Sequence, residues 1–445
     1  LAEDVVSHHV GYLKTINIVH VLLLALAAFF AGWTAFRVSG SCIAALVAQA
    51  TPLMFLTPIE ALPRVTPELM EVIIEFALVI PLAPLVLGRD PERASRNPLL
   101  SLAAGALVGA GVATKANFFT VGLLVLLFPG WKQKLRFVAA AVVSLGVLLA
   151  PLVFVWRQLV DWYFGMATRR GLYGRGETGL PSAAEYVSGL AQVYREEPFL
   201  LLLAACYVAA AAAVHRWCPD APRRRALVRA LLVGPLIVVV HTLVTAKHFN
   251  YHYVLPALLV AVLLNAVLVT VLESGGLPRK VWLVLLLLVS WAGYEAFRHN
   301  LGRMRWYAGW KREYREQVAA VAARRDELGP CRVAGYYRSS APTFALRLGN
   351  DLASQLQQQA LERVYPGQVH WADGSFRHWD HRPADSELRD ALRAGQCVLV
   401  QGSAKSPPRV GGFVLEPVYQ AEGDVYGAEA LFRLALAGSS GNSTQ

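Results

Sequence analysis

Three short stretches carry side chains whose types and spacing suit acid–base or phosphate chemistry. The first is Pro67-Glu68-Leu69-Met70-Glu71-Val72-Ile73-Ile74-Glu75, which opens an apolar run extending to Leu87. At helical spacing Glu68, Glu71 and Glu75 share one face, so the acids descend from a helix mouth into hydrocarbon. An ionisable group at that depth costs several kcal/mol unless it faces protein or water. The stripe therefore predicts a lined cavity, with satisfaction by neighbouring helices for packing alone as the alternative. The second stretch holds Lys115 and Asn117, and the third is Lys247-His248-Phe249-Asn250-Tyr251-His252-Tyr253. Glu60 and Arg64 join Glu68 on the turn before the first stretch.

Carboxylates combined with Lys, Arg and His at a bilayer surface suit a phosphate-bearing lipid whose tail stays in the membrane while its head reacts. A cation stabilises the phosphate as it leaves. A carboxylate accepts the proton of an attacking hydroxyl or holds a divalent cation, and Glu68 is the candidate for both roles. Taken singly, a Lys or His at a helix end is ordinarily a headgroup or solvent contact, so the weight lies in their convergence.

The elements that position these residues are membrane spans. With 445 residues, 55% hydrophobic and only 16% charged, and a mean hydropathy of +0.42, the chain reads as a polytopic α-helical membrane protein. Ten apolar runs are visible: 18–36, 42–56, 69–87, 99–113, 118–128, 137–156, 199–214, 230–246, 254–272 and 281–297. The short pair flanking Thr114-Lys115-Ala116-Asn117 fits two short spans or a re-entrant hairpin shielded by protein. The net charge of +11 sits largely in short loops between spans, which excludes nucleic acid as the partner it would otherwise suggest.

Alternate connections are basic: Arg37; Arg89, Arg93 and Arg96; Lys132, Lys134 and Arg136; Arg216, Arg223, Arg224, Arg225 and Arg229; Arg279 and Lys280. These predict the cytoplasmic side. The N-terminus, Glu60, Arg64, Glu68, Lys115, the loop 157–198, Lys247 to Tyr253 and everything after Arg298 then face outward. An outer N-terminus without a cleavable leader implies a span preceding Leu1. The 157–198 connection, rich in aromatic and charged side chains, reads equally as a lid or as an interfacial amphipathic segment.

Residues 1–299 thus form the membrane domain, 300–438 a small extracytoplasmic α/β domain, and 439–445 a flexible Ser/Gly/Asn/Thr tail. The second domain shows a helical stretch at Trp306 to Leu328 and β-like runs at 331–337, 397–401, 413–419 and 428–436, with a helix cap at Ser339 to Pro342. Cys331 and Cys397 each begin a β-like run. Parallel neighbouring strands would bring them together as a disulfide in an oxidising compartment, and two buried free thiols are the alternative. His370, Asp373, His378, Asp380 and His381 match no metal-site spacing and read as a solvated loop.

The Glu68 turn, the small-residue segment Gly105-Ala106-Leu107-Val108-Gly109-Ala110-Gly111-Val112-Ala113-Thr114-Lys115, and the Lys247-to-Tyr253 turn followed by Val254-Leu255-Pro256 resemble GT-C-fold glycosyltransferases. These are the polyprenyl-phosphate-sugar-dependent enzymes of the aminoarabinose and protein mannosyl transferase group, and the likeness covers roughly residues 5–297. The resemblance implies a bacterial inner-membrane protein with an outward-facing cavity. It implies a polyprenyl-phosphate donor of a hexose or pentose, membrane lipid around it, a glycan, lipid or protein acceptor, and inversion by an aspartate base in the first outer loop. By the same resemblance Glu68 takes the second acidic position, usually Asp, while Lys115 and Lys247 fall beside the donor phosphate; Glu60, Arg64, Asn117, His248, Tyr251 and His252, which converge with them at the outer ends of spans, complete the expected substrate site. The chain departs from the pattern where the aspartate loop would precede Leu1, leaving Asp4 as the nearest remnant. A transporter or lipid flippase is the competing reading, supported by the depth of Glu75, and a noncatalytic scaffold is the third.

Overall fold

The computed structural model describes residues 2–55, 57–58, 67–169, 179, 181–197, 199–247, 251–273, 278–328, 331–335, 385–403, 407, 411–421 and 429–437. They belong to two compact units, one of residues Leu13–Leu301 and one of Leu1–Tyr12 with Gly302–Gln445. Among the described residues six helices are long and apolar enough to cross a membrane: Thr15–Ser39, Pro67–Val86, Trp131–Val155, Leu200–Trp217, Ala221–Ala246 and His252–Glu273. Cys42–Met54, Pro98–Thr114 and Ala116–Leu127 are shorter apolar helices. The tenth apolar run is the leading part of the 44-residue helix Arg279–Ala322. This is the architecture of a polytopic helical membrane protein.

Helix α1 (Ala2–Ser39) ends at Gly40, whose positive φ of 78° lets the chain turn, and Ser41 then caps α2 (Cys42–Ala50) by accepting from the Ala44 N–H. Helix α3 (Pro67–Val86) starts on Pro67, which has no N–H to leave unsatisfied, and is buried along most of its length. Two caps, Asp90 and Asn97, each followed by proline, start α4 (Pro91–Arg96) and α5 (Pro98–Thr114). Residues Ala116–Leu127 then form a 3₁₀ helix, tighter and longer per residue than an α-helix. Its 12 residues reach about 24 Å, against about 18 Å as an α-helix. The 17 residues of α5 reach about 25 Å, so stretching the return segment nearly matches the two lengths. The pair consists of two short helices packed on each other, a form that fits either two short spans or a re-entrant hairpin.

Helix α6 (Trp131–Leu149) packs on α5 through glycine. A Cβ at Gly105 or Gly109 would collide with the carbonyl oxygen of Phe137 or Ala141, so the backbones touch directly. The opposite face of α6 leaves Val142, Val143 and Val147 exposed, as a lipid-facing helix does. The connection that follows contains α7 (Trp156–Thr168) and α8 (Ala183–Glu196), the latter opened by a reciprocal Ser182/Glu185 capping box. Next come α9 (Phe199–Trp217), α10 (Ala221–Ala246), a 3₁₀ turn at Tyr251–Val254, α11 (Leu255–Leu259) and α12 (Ala261–Glu273). Helix α3 is the hub, packing against α5, α10, α11 and α12. Deep in this unit Asn265 accepts from the Tyr207 hydroxyl at 2.8 Å and donates to Thr51 at 3.1 Å, which satisfies a buried amide.

In the other unit four strands, β1 (Arg332–Gly335), β2 (Val398–Ser403), β3 (Phe413–Gln420) and β4 (Glu429–Leu436), form one sheet in the order β1-β2-β4-β3. Strands β1 and β2 are parallel, with Arg332 opposite Val398. That register places Cys331 beside Cys397, and the two form a disulfide with Cα atoms 4.5 Å apart. Strand β2 is buried on both faces. Val398 and Val400 pack with Leu388 of the helix Asp385–Arg393 on one side, and Leu399 packs with Val321 and Leu328 on the other. Ser339 to Pro342, the His370 to His381 cluster and the tail lie outside the described residues.

Candidate functional site

Glu68 lies in the first turn of α3, and Lys115 closes α5, where its own N–H bonds the Gly111 carbonyl at 2.9 Å before the chain turns into the 3₁₀ helix. This pairs a helix start with a helix end. The Lys115 ammonium sits 2.5 Å from Glu68 Oε1 and 4.0 Å from Glu71 Oε2. It also lies over the Tyr253 ring, 4.9 Å from the centroid, a cation–π contact. His252 Nε2 approaches the same Glu68 oxygen at 3.7 Å. Side-chain exposures of 15% for Lys115, 12% for Glu68 and 25% for His252 leave the group open to solvent or ligand, whereas Glu71 is at 0%.

The turn that carries His252 and Tyr253 is clamped from below. The Tyr253 carbonyl accepts from Asn117 Nδ2 at 2.9 Å and from His241 Nε2 at 2.6 Å. A carbonyl only accepts, so Nε2 carries a proton, and Nδ1 pairs with the Thr120 hydroxyl at 2.6 Å. His241 is wholly buried in α10 and spends both nitrogens on this clamp. Above it, Tyr186 of α8 donates to the Leu243 carbonyl at 2.6 Å, and burial pushes its phenol above the ordinary value. Gly189 lets α8 lie directly on the Ala246 carbonyl, so part of the connection read as a lid or interfacial segment rests on the end of α10 and against the Tyr251–Val254 turn.

Below Lys115 the acid stripe continues inward. Neither Glu71 oxygen has a hydrogen-bond partner, nor does Glu75 Oε1, and Asn117 Oδ1 is likewise buried and unpaired. Glu75, 4% exposed, lines a small cavity with Leu78, Leu82, Leu124, Leu259 and Leu263. The cavity has room for about one water. Of the stripe, Glu68 is thus engaged by Lys115 from the neighbouring α5, whereas the deeper Glu71 and Glu75 keep oxygens without a hydrogen-bond partner.

Of the residues singled out in the sequence, Glu68, Lys115, Asn117 and His252 come together, and Tyr251 opens the same turn as His252. Lys247 directly follows α10, where partial burial pushes its ammonium below the ordinary lysine value. Glu60, Arg64 and His248 lie outside the described residues, and Asp4 lies within continuous helix α1 rather than on a loop. Among the described residues no group of three or more His, Cys, Asp or Glu side chains is placed to hold a metal ion, and Glu68 is engaged by Lys115. Sequence reasoning missed His241, Thr120 and the buried Thr57–Glu197 hydrogen bond of 3.1 Å. An available signal for His241 was a lone imidazole inside the apolar run of α10.

Chemically, the cluster is a cation shared by two carboxylates, flanked by an imidazole and an aromatic face. An anion entering it competes with Glu68 for Lys115. No protein-family model matches the chain, nor does any curated protein or solved structure.

Proposed function

We propose that the chain is a membrane glycosyltransferase that takes a sugar from a polyprenyl-phosphate carrier and delivers it to a cell-envelope acceptor on the outer face. The observation that carries this reading is the meeting of Lys115, Glu68 and His252, drawn from three separate elements, at the mouth of an apolar bundle. A lipid tail lies along exposed apolar helices while its phosphate reaches a cation, and few other substrates ask for both at one place. In this reading the acceptor oxygen bonds to the sugar's anomeric carbon as the bond from that carbon to the phosphate oxygen breaks. The electron pair leaves with the lipid phosphate, which Lys115 and Lys247 stabilise, and Glu68 is the carboxylate in reach for the acceptor's proton. The Cys331–Cys397 disulfide supports an outer location for the second unit, since such bonds persist in oxidising compartments.

A binding and transfer assay with a polyprenyl-phosphate sugar tests the proposal. Lys115→Ala and Lys247→Ala each remove a charge-assisted contact of about 1.5 to 3 kcal/mol, so donor affinity falls about 10- to 100-fold. Glu68→Gln lowers turnover about 10²- to 10⁴-fold with donor binding kept. Unchanged binding and turnover in all three variants would remove the assignment.

A transporter or lipid flippase is the second reading, favoured by Glu71 and Glu75, because buried carboxyls without hydrogen bonds inside spans mark ion pathways. Reconstituted vesicles separate the two. Transfer makes a new glycoside, whereas transport moves an unchanged lipid or solute between the two sides.

A further inference from the structure

We infer that an anionic phospholipid binds at the end of the bundle away from Lys115, with its phosphate between Arg225 and Arg229 of α10 and an acyl chain along the helix face below them. The inference rests on the chain spanning a bilayer and not on the glycosyltransferase reading. Helix α10 opens at this end with Arg223, Arg224 and Arg225 and runs to the Tyr251–Val254 turn, and α5 likewise runs from Pro98 to Lys115 at the other end. The first turns of α10 meet α4 and the end of the 3₁₀ helix. Arg225 pairs with Glu92 at 2.8 Å, and Arg229 donates to the Leu127 carbonyl at 3.2 Å.

The two arginines are placed differently. Arg225 and Glu92 are both more than half exposed, so their ion pair is weak and open to displacement. Arg229 stands one turn deeper and half-buried, and among the described residues no carboxylate pairs with it. A guanidinium has five N–H donors, of which the Leu127 carbonyl takes one. A phosphate answers both the charge and the remaining donors, because the planar fork grips it through two parallel hydrogen bonds. Below Arg229 the same face of α10 continues at helical spacing as Leu232, Leu236, Val239 and Leu243, all exposed. From Arg229 to Val239 the helix rises about 15 Å, half of a hydrocarbon core of about 30 Å. One leaflet's depth of apolar surface thus lies beneath a cation without a carboxylate, which is the outline of a single phospholipid.

The surrounding charge selects the headgroup. Gln133 donates to the Arg96 carbonyl at 2.8 Å and accepts from the Ser101 hydroxyl at 2.8 Å, which holds the start of α6, with Lys132 and Lys134, at this same end. A zwitterionic head brings an ammonium that these basic residues repel, whereas a phosphatidylglycerol head brings only the phosphate charge.

The test is native mass spectrometry of the full chain released from detergent micelles, titrated with phosphatidylglycerol or with phosphatidylcholine of the same acyl chains. The expected result is one phosphatidylglycerol bound about tenfold tighter than phosphatidylcholine, a preference that Arg229→Gln abolishes. Lys132→Gln removes the same charge from the same end, but from α6, and keeps the preference. Equal binding of the two lipids by the wild-type chain overturns the inference. So does an equal loss in Arg229→Gln and Lys132→Gln, which is the mark of diffuse attraction by the whole basic surface. Glycerophosphoglycerol, the headgroup without acyl chains, is expected not to displace the lipid at equal concentration, and displacement overturns the assignment to a lipid. Should Arg229→Gln fail to fold, Arg225→Gln at the exposed position decides: a preference lost there supports the site, and a preference kept overturns it. Failure of this inference leaves the reading of Lys115 intact, since the two sites lie at opposite ends of the helices that carry them.

Discussion

His241 touches none of the charged groups at the mouth of the bundle, yet it decides where two of their neighbours stand. Its Nε2–H and Asn117 Nδ2 both reach the Tyr253 carbonyl, and that carbonyl belongs to the turn holding His252 beside Glu68 and the Tyr253 ring beneath Lys115. Removing one partner from a buried polar pair costs about 1 to 3 kcal/mol. His241→Phe is expected to lower the thermal midpoint and to weaken donor binding, while His241→Gln, whose amide N–H can reach the same carbonyl, recovers part of both. A general packing role predicts the reverse order, because Phe fills the apolar site better than Gln. Thermal unfolding and donor titration of the two variants read this out, and equal loss in both would leave His241 as filler.

At the scale of elements, the site depends on how closely α5 can lie on α6, because α5 delivers Lys115. Gly105 and Gly109 permit backbone contact, and even one methyl group at either position meets a carbonyl oxygen. Overpacking of this kind costs about 1 to 3 kcal/mol. Gly109→Ala is expected to destabilise the protein and displace Lys115, so donor affinity falls with stability. On α6 itself Gly146 has nothing within 4 Å of an added Cβ, and Gly146→Ala is expected to gain up to about 1 kcal/mol from helix propensity. Opposite signs in a thermal-shift comparison support the close-approach account, and equal signs refute it. Much of this was legible in the chain. The start of α3 was marked by Pro67 and by acids at i, i+3 and i+7, the α5–3₁₀ pair by two short apolar runs around Lys115, and the strands by runs whose bounds agree within two residues wherever they are described. What stayed hidden was of another kind. Apolar periodicity does not distinguish a 3₁₀ helix from a short α-helix, and a lone histidine in an apolar run does not announce its partner 121 residues away. The order of the sheet, with β4 inserted between β2 and β3, is set by pairing energies that no single strand displays.

For the whole molecule the proposed orientation draws on two independent features of the chain. Basic residues crowd alternate connections, among them the Arg216 to Arg229 segment between α9 and α10, and in the proposed orientation the positive-inside bias assigns that segment to the cytoplasm. The Cys331–Cys397 disulfide bridges residues 66 apart in the chain, and a bond that closes so long a loop contributes about 4 kcal/mol where it persists, in an oxidising compartment. The molecule carries its own reporters for both sides. Cys218, half-buried and unpaired as a disulfide, sits between Trp217 and the start of α10 in the basic segment, while Cys331 and Cys397 are masked until reduced. Treating intact cells with a membrane-impermeant maleimide is expected to leave the protein unlabelled. An impermeant reductant given first exposes Cys331 and Cys397 to the reagent, and opening the membrane adds Cys218 together with the exposed free Cys42 beside the Arg37 connection. Labelling of Cys218 from outside, or of Cys331 and Cys397 only after the membrane is opened, inverts the orientation. It would put Lys115 and Glu68 on the cytoplasmic face, where an envelope acceptor is out of reach.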